Sequence, residues 1–192
     1  MIKLRIARLN DCDALSSIYR HYVNNTSVSF ENMVPNESEF KKRIGKTMIK
    51  YPFLVAEYNN DVAGYAYASE YRTRAAYQWT AELSVYVAHE HIGKGIGTCL
   101  YSALLELLKQ QNICTVCAGI TYPNDRSVYL HEKLGFIYSG KLSSVGYKNG
   151  KWHDLMWYVK QLSTEEQPSV IIPFPDLDYR IVNKILNQHF NL

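Results

Sequence analysis

Three glycines, at 93, 95 and 97, lie between an alternating apolar run at 82–87 and a leucine-spaced helical pattern that begins near 96. A loop of this kind, entering a helix, aims free backbone N–H groups and the positive end of the helix dipole at an anion. Two common phosphate loops fail on spacing. A P-loop needs glycine five positions before Gly93, where Ala88 stands, and no Lys-Ser or Lys-Thr pair follows. The dinucleotide fingerprint fails from both candidate starts, because Thr98 and Leu100 occupy its last glycine position. What remains is a pyrophosphate lying on bare amides, which glycine permits by having no side chain to block the approach. The competing reading is a tight strand-to-helix turn with no ligand. Two other constellations carry little. Cys114 and Cys117 fall in a strand-like run, where residues three apart face opposite ways, and no second Cys pair completes a zinc site. His89-x-His91 has no carboxylate or Cys cluster beside it. No metal site is expected.

The elements that must position this loop follow from periodicity. Residues 2–8 alternate as a first strand, and Leu15, Ile18, Tyr19 and Tyr22 mark a helix over 11–24 that Asn10 or Asp11 is placed to cap. A polar loop at 25–35 precedes a second helix at 37–50, with Phe40, Ile44 and Met48 on one face. Strands at 53–58 and 62–69 flank Asn59-Asn60-Asp61, a hairpin turn signal. The strand at 82–87 leads through the glycine loop into a helix at 96–111, then a strand at 116–120 and a short helix at 125–134 that Gly135 stops. Strands at 136–147 and 152–161 pair across Asn149-Gly150. The order is βααβββαβαββ, an α/β pattern with a mixed sheet. Residues 163–178 contain three prolines, and Tyr179, Val182, Ile185, Leu186 and Phe190 then recur at helical spacing. This tail either docks on its own domain or supports a partner subunit.

Three blocks resemble a known family. VYVAHEHIGKGIGTCLYSALL, followed by PNDRSVYLHEKLGF, is similar to motifs A and B of the Gcn5-related N-acetyltransferases (GNAT). WTAELSVYV, NDRSVYLHEKLGF and SVGYKNGKWHDLMWY resemble the branch that acetylates phosphinothricin and methionine sulfoximine. The resemblance covers residues 1 to about 160, so residues 1–162 are expected to form the acetyltransferase domain, with 163–192 a Pro-rich linker and short amphipathic helix. It implies a GNAT fold, with a mostly antiparallel sheet splayed where acetyl-CoA binds. The amides around Val85, Tyr86 and Val87 would hold the thioester and pantetheine, and those of Gly93, Lys94, Gly95, Ile96, Gly97 and Thr98 the pyrophosphate. Lys94 is either a phosphate contact or a solvated charge, and Asn124 and Ser127 open the second motif against the pantetheine arm. Ile92 departs from the Arg or Gln that usually opens this loop, which implies weaker cofactor affinity.

The same resemblance makes Glu82 the general base, against the plain alternative of a strand-end carboxylate in an ion pair. His131 takes the place of the tyrosine that most members use to protonate the thiolate, and serves as acid or substrate contact. The acceptor implied is the α-amine of a small amino acid or toxic analogue, attacked directly. Arg72 and Arg74 precede the catalytic strand and suit its carboxylate, with Tyr77 beside them; Arg72 is equally a rim charge. Phe30 and Glu31, and Lys148, Trp152 and His153, are candidates to close the pocket. Peptide N-termini, polyamines and aminoglycosides are alternative acceptors, and a non-catalytic acyl-CoA sensor is the alternative outside enzymes.

Composition bounds the rest. The chain of 192 residues is 47% apolar and 20% charged with formal net charge +3, and its cations are scattered, which argues against nucleic acid. No run of about 18 apolar residues predicts a membrane span, and the N-terminus lacks a signal-peptide core. A reducing cytoplasm is the expected compartment, and the resemblance implies a homodimer.

Overall fold

The structure is a computed structural model, and it describes residues 1–188. Seven strands form one sheet. In chain order the main elements are β1 (Ile2–Ile6), α1 (Cys12–Asn25), α2 (Glu37–Met48), β2 (Phe53–Tyr58), β3 (Asp61–Glu70), β4 (Thr80–Val87), α3 (Ile96–Gln110), β5 (Thr115–Tyr122), α4 (Asp125–Lys133), β6 (Ile137–Lys148), β7 (Lys151–Gln161) and α5 (Tyr179–Gln188). The sheet order is β1-β2-β3-β4-β5-β7-β6, antiparallel except for β4 with β5. The order read from periodicity holds through β7, with boundaries shifted by a few residues. The hairpin turns form as their sequences require, with positive φ at Asn59 and Asn60 and at Asn149 and Gly150. Phe190 lies outside the described residues.

Each face of the sheet has its own core, as the two-residue repeat of a strand demands. On one face Ala66, Ala68, Ala81 and Leu83 pack beneath Leu100, Leu104 and Leu108 of α3. The small alanines let this helix lie close. On the other face Val55 and Tyr65 meet Leu15, Ile18 and Tyr19 of α1 and Phe40 and Ile44 of α2. The start of α1 differs from expectation. Neither Asn10 nor Asp11 caps it; a short 3-10 turn over Leu9–Asp11 precedes it instead. The Asp11 carboxylate accepts from Arg5 at 2.7 Å twice and from the Arg8 N–H at 2.6 Å. Burial would raise the Asp11 carboxyl, but Arg5 and Arg8 outweigh it and hold it below its ordinary value.

The tail folds back on the domain. Its apolar residues Phe174, Val182, Ile185 and Leu186 join the core beside α3.

Gly64 of β3 shows how tightly α3 is seated. A Cβ there would stand 2.9 Å from the Tyr86 carbonyl oxygen and 3.2 Å from Ile96, the first residue of α3. Gly64→Ala must therefore push β4 or α3 away, and urea unfolding is expected to show a loss of about 1–3 kcal/mol.

Candidate active site

β4 and β5 run side by side for only three residue pairs: Thr80 with Thr115, Ala81 with Val116, and Glu82 with Cys117. Beyond that rung the two strands continue to Val87 and Tyr122 without pairing, so a wedge opens in the middle of the sheet. Unpaired edges buried inside a sheet need other partners. Ala88 N–H donates to Ala63 O of β3 at 2.9 Å. By the two-residue repeat, Val85 and Val87 turn their amides the other way, into the wedge. Tyr86 therefore faces β3, and its ring packs with Tyr19, Tyr22 and Tyr65 in the α1-side core.

Val87 already has a partner on the wedge side. Its N–H donates to the Tyr22 hydroxyl at 3.2 Å, and that hydroxyl donates to Val87 O at 2.6 Å. A phenol from α1 thus stands where a neighbouring strand would have been, leaving Val85 as the amide directed into the wedge. Burial pushes the Tyr22 phenol up, while its bond to Val87 and the Arg126 cation of α4 pull the other way. Periodicity marked Tyr22 only as a core residue; its second role depends on which strand edge α1 crosses.

At the mouth of the wedge the chain enters α3 through Gly93 and Gly95, at φ +85° and +80°, and a Cβ on either would meet nothing within 4 Å. The first intrahelical bond is Cys99 N–H to Gly95 O at 3.0 Å, so the amides of Ile96, Gly97 and Thr98 precede the ladder and are open. Gly97 is also small for packing, since Leu130 of α4 lies 3.3 Å from its would-be Cβ. Lys94 does not point at this row. Its ammonium lies 2.9 Å from His91 Nδ1 and over the Tyr58 ring, and its amide turns back to His91 O. An anion with room above the glycines fits the loop; the residues present suit a pyrophosphate held by backbone.

The two side chains expected to do chemistry, Glu82 and His131, lie on opposite sides of the sheet. Tyr86 places the even residues of β4 on the α1 and α2 face, so Glu82 shares that face with its neighbours Ser69 on β3 and Cys117 on β5. Burial alone raises the Glu82 carboxyl above its ordinary value. Burial and the Glu82 charge push the Cys117 thiol up to about 12, which keeps it protonated and inert. Cys117 had no functional signal in the sequence; only the pairing of β4 with β5 brings it to the base. A cavity of about 480 Å³ lies on the same face, lined by Tyr19, Phe40, Arg43, Tyr65, Tyr67 and Ser69 among others. Ser69 and Tyr67 pair with Glu82 and Ser84, so the cavity adjoins the base.

His131 of α4 is buried on the α3 side, edge-on to Tyr101 and Phe136. Its Nδ1–H donates to Ser127 O at 2.7 Å, which fixes the tautomer and leaves a lone pair on Nε2. That nitrogen is buried with no partner among the described residues. Burial holds the imidazole below its ordinary pKa, with the Ser127 bond opposing, so the ring is neutral near pH 7. As it stands it accepts a hydrogen and has none to donate at Nε2. Asn124 caps α4 through its Oδ1, which accepts the Ser127 N–H at 3.2 Å; its side-chain NH₂ stays available.

On the base's side, Arg72 lies over the rings of Tyr71 and Tyr77, and Tyr71 meets Trp157 edge-on. Arg74 is exposed at the start of the turn that carries Tyr77. The loop at 26–35 bridges the wedge: the buried Lys148 donates to Ser29 O at 2.5 Å, and Phe30 lies so close to Gly146 that a Cβ there would be 2.5 Å from its ring. His153 donates to Lys148 O at 3.1 Å and completes the contact. Trp152 is 62% exposed and closes nothing.

A sheet parted beside a helix N-terminus that offers bare amides, with a half-buried carboxylate at the vertex, defines an acyl-CoA-dependent transferase. A model of the acetyltransferase (GNAT) domain matches residues 4–157, and the chain belongs to that family as an N-acetyltransferase that uses acetyl-CoA. The phosphinothricin N-acetyltransferase of Streptomyces viridochromogenes is 37% identical over 172 residues, which cover 90% of this chain and 94% of the relative. The L-methionine sulfoximine/L-methionine sulfone acetyltransferase of Salmonella typhimurium is 34% identical, over 86% of this chain and 97% of the relative. The crystal structure of a GNAT superfamily phosphinothricin acetyltransferase from Sinorhizobium meliloti, in complex with AcCoA, gives a TM-score of 0.84 at 34% identity, over 88% of this chain and 93% of that one.

Tyr22 yields a test of the donor side. Tyr22→Phe frees both polar groups of Val87, and calorimetry is expected to show acetyl-CoA binding severalfold more tightly. Weaker binding would instead make the hydroxyl a cofactor contact.

Proposed function

We propose that the enzyme acetylates the α-amine of a small amino acid or an analogue of the phosphinothricin or methionine sulfoximine type. The observation that carries this reading is a half-buried Glu82, with no hydrogen-bond or ion-pair partner among the described residues, at the vertex of the wedge, beside a cavity and the arginine-bearing loop. The names of the relatives agree with it. Acetyl-CoA supplies the acetyl group as a thioester: the new C–N bond forms, the C–S bond breaks, and the sulfur leaves as a thiol. The Val85 amide, the open amides of Ile96, Gly97 and Thr98 and the bare glycines 93 and 95 hold the donor, and the Asn124 amide and Ser127 border it. Lys94, turned to His91, plays no part in this reading. Glu82 takes the ammonium proton that makes the amine nucleophilic and passes it to solvent. The second amine proton goes to the departing sulfur. His131 Nε2 then receives a hydrogen bond from the thiol, a role its neutral tautomer permits without prior protonation.

On the acceptor side, Arg74 binds the carboxylate, with Arg72 held on Tyr71 and Tyr77 as the supporting cation. Phe30 forms the roof. Two arginines near an amino-acid carboxylate favour this acceptor over polyamines or aminoglycosides, which carry positive charge. Direct attack at a buried site leaves a defined pH signature. The raised Glu82 pKa means that activity is full above it and falls as pH drops through it. The acid limb of kcat/KM is therefore expected above about pH 4.3, the usual glutamate value. Glu82→Gln should lower kcat by about 10²–10⁴-fold and leave acetyl-CoA affinity unchanged in calorimetry. An unchanged kcat at neutral pH would remove Glu82 as base.

The four cysteines are free thiols, which supports a reducing cytoplasm. Among the described residues no helix is long and apolar enough to cross a membrane. We also propose a homodimer, and no nucleic-acid partner. Of the tail's two expected roles, docking or supporting a partner subunit, the first fits, because its apolar face is covered by the domain. The exposed apolar row lies on the edge strand β6 and its hairpin, where Ile137, Leu142, Val145 and Tyr147 face solvent. Light scattering with Leu142→Lys is expected to show dissociation to monomer, and an unaltered mass would exclude this edge.

A further inference from the structure

The tail follows β7, beyond the residues 4–157 that match the family, and among the described residues none of its hydrogen bonds reaches Glu82 or the glycine loop. Its hydrogen bonds converge elsewhere. Leu162 N–H donates to Cys114 O at 2.7 Å, bringing the chain beneath the turn between α3 and β5. Trp79 Nε1–H then donates to Ser169 O at 2.8 Å, and the Asn112 side chain to Val170 O at 2.6 Å. The fully buried Gln111 donates to Ile172 O at 2.8 Å and to Lys50 O at 2.7 Å. Ile172 N–H returns a bond to Gln111 O at 3.1 Å, and Phe174 N–H reaches Lys50 O at 3.0 Å. Phe174 and the apolar face of α5 then anchor the segment in the core.

Two of these bonds bracket residues 71–79, the loop that carries Arg72, Arg74 and Tyr77. Trp79 is its last residue. The Trp79 carbonyl accepts from Cys114 and Thr115 at 2.9 and 3.1 Å, at the foot of the β4–β5 junction, while its indole is tied to the tail. Glu70 is the residue before the loop. It faces the Lys50 ammonium at 3.8 Å, and the Lys50 carbonyl is the one held by Phe174 and Gln111. Both stems of the loop therefore meet residues fixed by the tail. Between the stems the contacts are aromatic: Tyr71 on Tyr77 at 5.7 Å and on Trp157 at 6.0 Å. Aromatic edges leave sliding freedom that directed hydrogen bonds at the stems remove. A loop ordered before its ligand arrives does not lose that freedom on binding, so the saving appears in affinity for the ligand.

We propose that residues 163–188 are an intramolecular brace, with Trp79 as its positioning residue, that holds loop 71–79 in its acceptor-binding conformation. This rests on the acceptor role of Arg72 and Arg74. The brace sets acceptor affinity without touching acceptor or acetyl-CoA.

Two variants of the full chain test it. Trp79→Phe keeps a ring and deletes the donor to Ser169, and Asn112→Ala releases the tail one residue further on without altering the loop. In both, amide hydrogen exchange across 71–79 is expected to quicken in the free enzyme, a readout that needs no substrate. The acceptor KM is expected to rise about fivefold, in line with one lost hydrogen bond, with kcat and the calorimetric Kd for acetyl-CoA held within about twofold. Unchanged exchange in 71–79 while that of 163–178 quickens would overturn the brace. So would a common shift in kcat and both affinities, which is the signature of general destabilisation. Arg74→Ala separates the two ideas: if it leaves the acceptor KM unmoved, the acceptor reading fails. If it raises KM and the tail variants do not, the brace alone fails.

Discussion

The parting of β4 from β5 after the Glu82–Cys117 rung is the constraint on which the rest of the structure depends. A sheet interior normally satisfies every backbone group, and opening one costs a hydrogen bond for each lost rung. The opening persists because each flank has other support. Tyr22 takes both polar groups of Val87 on one side. β5 is held from its far edge by β7 over eight residue pairs, so it does not need β4 to stay a strand. Above the gap, Lys148 and Phe30 lock the loop at 26–35 to the hairpin tip. Below it, Tyr101, His131 and Phe136 fill the space between α3 and α4. The wedge is thus a rigid feature with two walls, and a ligand entering it completes a sheet already shaped for it.

The same parting separates the protons. Glu82 and Cys117 sit at the last paired rung, on the α1 and α2 face, where burial favours their neutral forms. His131 lies beyond the opposite face, also driven neutral by burial. No fixed charge bridges the two. A carboxylate that is reluctant to ionise is a stronger base towards an ammonium, and a histidine already neutral places no competing proton near the departing sulfur. The Ser127 carbonyl takes the one ring hydrogen of neutral His131, so in the proposed reading its Nε2 meets the sulfur as an acceptor.

Much of this was legible in the residues. The order of elements through β7 followed from apolar spacing, and both tight hairpins from Asn-Asn and Asn-Gly, because these are local properties of the chain. The glycine loop was legible for the same reason. Other features depend on which strand lies beside which. Cys117 gains its meaning only because a crossover through α3 sets β5 beside β4, and Tyr22 only because α1 crosses the free edge at Val87. Which of Val85, Tyr86 and Val87 turns its amide to the gap was not legible, because strand parity has to be anchored by one bond, that of Ala88 to Ala63. Spacing alone also left the tail's partner open, since an apolar helix face fits a neighbouring domain and a second subunit equally well.

Ile92 shows how much of the donor site is independent of side chains. A loop that opened with Arg or Gln would add one directed contact to the phosphates, and here that position is a half-buried isoleucine. Lys94 does not replace it, being turned to His91 and Tyr58. What remains is the positive end of α3, the amides before Cys99, and two glycines whose left-handed backbone aims those amides outward. Amide dipoles fixed by a helix do not reorganise when an anion arrives, whereas a long cationic side chain must be ordered first. The Arg126 cation, close enough to act on Tyr22 from α4, adds positive potential from the far wall without closing the mouth. In the proposed reading anion recognition therefore resides in the backbone, and the side chain at 92 adjusts its strength.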